Sequence, residues 1–178
     1  MKFSAKLKIG VSSCLLGERV RFDGAHKYNQ IVADFLDHRF EGVPVCPEVE
    51  LGMGIPREPV HLVAGKVLRM VGNESGKDWT DAMVGFTSKK LMDLTEQGLS
   101  GFIFKSRSPS CATGGIPVSS ETGQVEQSAG LFAQAFMKHF PLTPVIDEDA
   151  LQDEKTREIF IARVNEVAGL RLKETGEN

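Results

Sequence analysis

Four short apolar runs, each separated from the next by a segment of helical periodicity, constrain this chain more than any other feature. The runs are 6–12 (KLKIGVS), 42–46 (GVPVC), 101–105 (GFIFK) and 144–146 (PVI). The intervening helices are read at 30–39, from Ile31, Phe35 and Leu36, and at 79–97, from Trp79, Met83, Phe86, Leu91 and Leu94. Two more follow at 130–140 and 151–172. Asp78 is placed to cap the second helix and Gly98 to end it. Strands that alternate with helices build a mostly parallel sheet covered on both faces. The expected class is therefore α/β, three-layered, with Rossmann-like alternation and a small hairpin at 60–63 and 67–71 turning at Gly65. An α+β fold with an antiparallel meander is the alternative, and that hairpin is the local evidence for it. The segment 46–59 holds three prolines and two glycines and reads as loop, as does 106–115 (SRSPSCATGG).

A length of 178 residues suffices for one domain with a full core. The expected division is a catalytic α/β unit over 1–148 and a C-terminal helical segment over 149–178, whose tail at 173–178 frays. A net charge of −3 gives no broad basic face for nucleic acid, and no apolar run reaches the roughly 20 residues of a membrane span. The first ten residues lack a signal peptide's apolar stretch, so a cytoplasmic location is expected. Oligomeric state is left open.

The cysteines fall where the strands end. Cys14 follows the first strand, Cys46 ends the second and Cys111 lies in the loop after the third, at separations of 32 (46 − 14) and 65 (111 − 46) residues. In an open α/β sheet, loops at the carboxyl ends of parallel strands share one edge, where ligands bind. An odd number of cysteines argues against a pure disulfide framework. A structural zinc site takes four ligands, usually with paired C-x-x-C spacing, and neither is present. Three thiolates suit a cubane of four irons and four sulfides with one iron open, which acts as a Lewis acid. The bland reading is that each cysteine is a small buried hydrophobe. The neighbours argue otherwise: Ser12-Ser13-Cys14, Cys46-Pro47-Glu48 and Ser108-Pro109-Ser110-Cys111 are polar and turn-rich.

Five strings occur in order: VSSCLLG (11–17), VRFDG (20–24), VCPEVELG (45–52), PREP (56–59) and KSRSPSC (105–111). Together they resemble the thiouracil desulfidase family, over about 9–147. The resemblance implies a 4Fe–4S cluster on Cys14, Cys46 and Cys111. It also implies hydrolysis of a thiolated nucleobase, such as 2-thiouracil, to uracil and hydrogen sulfide without net redox change. Glu48 is the matching catalytic glutamate, and Ser108 the matching serine with Ser110 its rival. Ser13, Ser110 and Arg21 are the candidate substrate-binding residues. The expected partner is a small thiolated pyrimidine or nucleoside. The family usually has glycine after the third cysteine, where this chain has Ala112, and tyrosine where it has Phe22. The segment 153–164 resembles the start of a second domain found in longer proteins, so the last helix reads as its retained stub. Two other functions stay open: a non-enzymatic zinc or iron–sulfur redox module, and a tRNA-thiolation enzyme, for which no P-loop string is present. Arg19, Arg21 and Asp23 either line the pocket or pair to order their loop. Arg57 and Glu58 are read as loop-ordering residues, and Lys105 and Arg107 as cations favouring thiolates.

Overall fold

A computed structural model describes residues 6–120 and 126–175. Strands β1 (Leu7–Ser12), β2 (Phe40–Val45), β5 (Gly101–Phe104) and β8 (Val145–Asp147) form one all-parallel sheet in the order β2-β1-β5-β8. Strands β3 (Val60–Val63), β4 (Arg69–Gly72), β6 (Ile116–Ser119) and β7 (Glu126–Ser128) form a second, mixed sheet in the order β4-β3-β6-β7. The helices are α1 (Gln30–Arg39), α2 (Pro47–Glu50), α3 (Thr80–Gln97), α4 (Leu131–His139) and α5 (Glu154–Thr175). Among the described residues, no helix is long and apolar enough to cross a membrane.

The parallel sheet separates two apolar cores, which is the three-layer α/β arrangement the alternation implies. β5 shows how its residues divide: Ile103 packs with Ile9, Val11, Val32 and Phe160 on the side of α1 and α5. Phe102 and Phe104 point the other way, toward Met83, Leu94, Phe132 and Phe136 from α3 and α4. Their rings stack with centroids 4.0 Å apart. Gly10, beside them on β1, has no room for a side chain: a Cβ there would lie 2.2 Å from the Phe102 ring. Pro44 is tolerated because β2 is an edge strand. The C-terminal helix packs directly on this layer. A Cβ on Gly101 would meet Phe160 and Val164 of α5 at 2.9 Å each.

Several expectations shift. The hairpin forms, with Val60 opposite Gly72, but it is half of the second sheet, which β6 extends in parallel with β3. β6 and β7 escape sequence reading because Pro117 interrupts a four-residue run and β7 (EQS) carries no apolar signal. The supposed loop at 46–59 contains the one-turn helix α2. Pro47 sits at its first position, where no amide hydrogen is needed, and Glu48 and Glu50 complement its N-terminal dipole. α3 begins one residue later than expected. Asp78 Oδ1 accepts from the Thr80 amide at 2.9 Å and from its hydroxyl at 2.5 Å. α5 also starts late, at Glu154, because Asp153 Oδ1 accepts from the Thr156 amide (2.8 Å) and hydroxyl (2.6 Å). A short 3-10 turn at Ala150–Gln152 precedes it. Of the expected frayed tail, 176–178 lies outside the described residues.

Candidate functional site

Cys14, Cys46 and Cys111 all line one cavity of about 480 Å³ at the carboxyl edge of the parallel sheet. Cys14 lies in a 3-10 turn (Ser13–Leu16) directly after β1, and its carbonyl accepts from the Lys27 amide at 2.9 Å. Cys46 caps α2 directly after β2, and its amide donates to Glu50 Oε1 at 2.9 Å. Cys111 sits in the loop after β5. That loop is clamped by α4, whose amides at Leu131 and Phe132 donate to the carbonyls of Pro109 and Ser110, each at 3.0 Å. Gly130 permits the approach: a Cβ there would lie 2.4 Å from the Ser110 carbonyl carbon. The carbonyl of Ala112, the residue where the family usually has glycine, accepts from the Gly130 amide at 2.8 Å. Ala112 needs no left-handed backbone, since Arg107 (φ 56°) is the one non-glycine residue with positive φ among those described.

The three thiols are free and influence one another. Burial pushes Cys14 up to about 11, with Cys46 adding to the rise while Lys105 and Arg21 oppose it. Burial also raises Cys46. Cys111 is raised by burial first, then by Glu48, Cys46 and Cys14, against a lowering hydrogen bond with Ser12. Two buried sulfurs and one half-buried one, which repel one another as thiolates, are a donor set that a cationic iron–sulfide core would neutralise. Among the described residues, no group of three or more His, Cys, Asp or Glu side chains is placed to hold a single metal ion. Three cysteine sulfurs on one cavity wall are the kind of donor set that a cluster with three protein ligands uses, whereas a structural zinc site usually takes four ligands.

Glu48 reaches the same cavity from the first turn of α2. Arg57 Nε and Nη2 both lie 2.8 Å from its Oε2, and Ser110 Oγ donates to its Oε1 at 2.7 Å. Arg57 thus serves Glu48, while its sequence neighbour Glu58 turns away to accept from the Glu74 and Ser75 amides at 2.7 and 2.9 Å. Ser108 lines the cavity, and its Oγ accepts from the amides of Ser110 (3.3 Å) and Cys111 (3.1 Å). Ser110 is fully buried behind Glu48 and is not among the cavity-lining residues. Ser13 and Arg21 line the cavity. Arg21 also pairs with Asp23 at 3.3 Å, whereas Arg19 is exposed and outside the lining.

Sequence reading missed Glu148. This carboxylate is 5% exposed and accepts from the Ser106 amide (2.7 Å), the Ser106 hydroxyl (2.9 Å) and Lys105 Nζ. It braces the start of the Cys111 loop from the end of β8. Ser12 adds a second brace, its Oγ accepting from the Lys105 amide at 2.9 Å. Neither carries a local signal, since each partner lies at least 42 residues away.

Known proteins are similar to this chain in fold and in sequence. The structure of a [4Fe–4S]-dependent thiouracil desulfidase, TudS, superposes with a TM-score of 0.64 at 31% identity, over 83% of this chain and 94% of that one. The uncharacterized protein YbbK of Bacillus subtilis (strain 168) is 32% identical over 149 residues, which is 80% of this chain and 97% of YbbK. The 2-thiouracil desulfurase model matches residues 9–148, a span that contains the whole cavity wall. On that match, the chain belongs to the 2-thiouracil desulfurase family.

Proposed function

We propose that this chain is a 4Fe–4S-dependent desulfidase that hydrolyses a thiolated pyrimidine such as 2-thiouracil, releasing hydrogen sulfide. One observation carries the reading: three cysteines from three separate strand ends line a single cavity together with a carboxylate. Cys14, Cys46 and Cys111 would hold the cluster through their sulfurs. When bound, a cluster with three protein ligands supplies an open iron, a Lewis acid for a thiocarbonyl sulfur.

The chain's own residues account for the rest. Glu48 takes a proton from water, whose oxygen adds to the thiocarbonyl carbon. The adduct's hydroxyl loses its proton as the carbonyl forms and the C–S bond breaks, and that proton and the one held by Glu48 go to the sulfur, which leaves as hydrogen sulfide. One water is consumed, and no electrons are gained or lost overall. Ser108, on the cavity wall beside Cys111, hydrogen-bonds the pyrimidine or passes on a proton. Ser13 and Arg21 offer further polar contacts to the ring.

Anaerobic reconstitution followed by incubation with 2-thiouracil tests this reading. Brown protein with about four irons and four sulfides per chain, releasing one sulfide per uracil formed, is the expected result. A colourless chain binding one zinc, or a loaded chain that releases no sulfide from any thiolated base or nucleoside, would overturn it.

A further inference from the structure

Glu48 is held more firmly than a loop carboxylate needs to be. Arg57 Nε donates to Oε2 at 2.8 Å, and Nη2 lies at the same distance from that oxygen as an ion pair. The same guanidinium is itself fixed, since Nη2 also donates to the Val20 carbonyl at 2.9 Å and Nη1 to the Gly54 carbonyl at 3.0 Å. Its side chain is 6% exposed, against 14% for Glu48. On the far oxygen, Ser110 Oγ donates to Oε1 at 2.7 Å from a fully buried position. Oε2 is thus consumed by the arginine, and Oε1 keeps one lone pair beyond the serine contact. An ionised carboxylate has about four acceptor sites, so the one left on Oε1 can receive a proton from the cavity.

We infer that Arg57 is a positioning residue for Glu48: its guanidinium fixes Oε2, so that Oε1, backed by Ser110, is the oxygen presented to the cavity. The inference rests on the desulfidase reading for its effect on rate, but not for its geometry. A flexible glutamate in the first turn of a four-residue helix has several rotamers, and a misplacement of about 1 Å costs on the order of 100-fold in rate. Lysine cannot reproduce this hold, because one ammonium replaces a planar group whose three nitrogens bond Glu48, Gly54 and Val20 at once.

The test compares wild type, Arg57→Met and Arg57→Lys, each reconstituted without oxygen, and repeats Arg57→Met in a Glu48→Gln background. Expected results are unchanged iron and sulfide content, near-unchanged KM for 2-thiouracil, and kcat lowered on the order of 100-fold by Arg57→Met. Arg57→Lys should fall between. In the Glu48→Gln background, Arg57→Met should cost less than about threefold, because two residues acting as a unit are not additive. Equal factors in both backgrounds would overturn the inference. So would loss of iron from both arginine variants, which would make Arg57 a scaffold of the cysteine loops. Wild type that loads iron but releases no sulfide would overturn the desulfidase reading instead. Crystal structures of wild type and Arg57→Met then judge the positioning without turnover. Glu48 leaving its Ser110 contact in the variant supports it, and Glu48 unmoved overturns it.

Discussion

Ser110 Oγ donates to Glu48 Oε1 at 2.7 Å, across 62 positions of sequence. This bond ties the loop that carries the third cysteine to the turn that carries the second. Glu48, the proposed base, is thereby bonded directly to the loop of a second expected cluster ligand.

Glu48→Gln should separate binding from chemistry. The amide keeps the size of the side chain but cannot take a proton from water. Iron and sulfide content should match wild type, while sulfide release falls by roughly 10²- to 10⁴-fold. Metal analysis beside a sulfide assay reads both quantities. Equal release in the variant would remove Glu48 from the mechanism.

Ser108 and Ser110 should behave differently. Ser108 faces the cavity, whereas Ser110 is enclosed behind Glu48. Ser108→Ala should therefore slow sulfide release more than Ser110→Ala. It should also lower stability by about 1 kcal/mol, through the lost acceptor for the Ser110 and Cys111 amides. Steady-state kinetics and denaturant unfolding of the two variants, side by side, decide the order.

Gly130 should control cluster loading from a distance. A valine there forces its Cβ into the Ser110 backbone and displaces the Cys111 loop from α4. The expected cost is roughly 1–3 kcal/mol, with reduced iron per chain. Replacing Cys14, Cys46 or Cys111 by alanine should each abolish the brown absorbance, without the stability loss of the glycine variant. A Gly130→Val chain that loads iron like wild type would contradict the clamp.

Lys105 and Glu148 form a buried ion pair, 12% and 6% exposed. Lys105→Met leaves the Glu148 carboxylate buried with only the Ser106 donors. About 3–5 kcal/mol of stability should be lost, visible as a lower denaturant midpoint. Adding Glu148→Leu to that variant should recover most of it, because the unpaired charge is gone.

The start of α3 should respond to acid. The Thr80 hydroxyl and amide hold the Asp78 carboxyl below its usual value of 3.8. A depressed acid stabilises the fold above its unfolded value, and the contribution disappears as pH falls through the folded one. Asp78→Ala should thus lower Tm at neutral pH, with the gap to wild type closing below about pH 3.8. Thermal melts of both proteins across that range measure it.

Local sequence determined much of this protein. α1 spans the residues its apolar spacing marks, and Gly98 ends α3 in a left-handed conformation (φ 68°) as its lack of a Cβ allows. The parallel class followed from alternation, because strand and helix periods are written within windows of a few residues. The motif strings singled out the cysteines and Glu48 in the same local way.

Other features required the folded chain. The second sheet adds β6 and β7, which carry little apolar pattern, to the hairpin that local sequence marks, so only the pairing of β3 with β6 reveals the whole of it. Arg57 on Glu48, Glu148 on Lys105 and α4 on the Cys111 loop each join residues from different elements. No local window encodes such contacts, since they depend on strand order and on which loops that order brings to one edge. A sequence can place each thiol at the end of its strand, but only the packing of those strands side by side makes three distant thiols walls of one cavity.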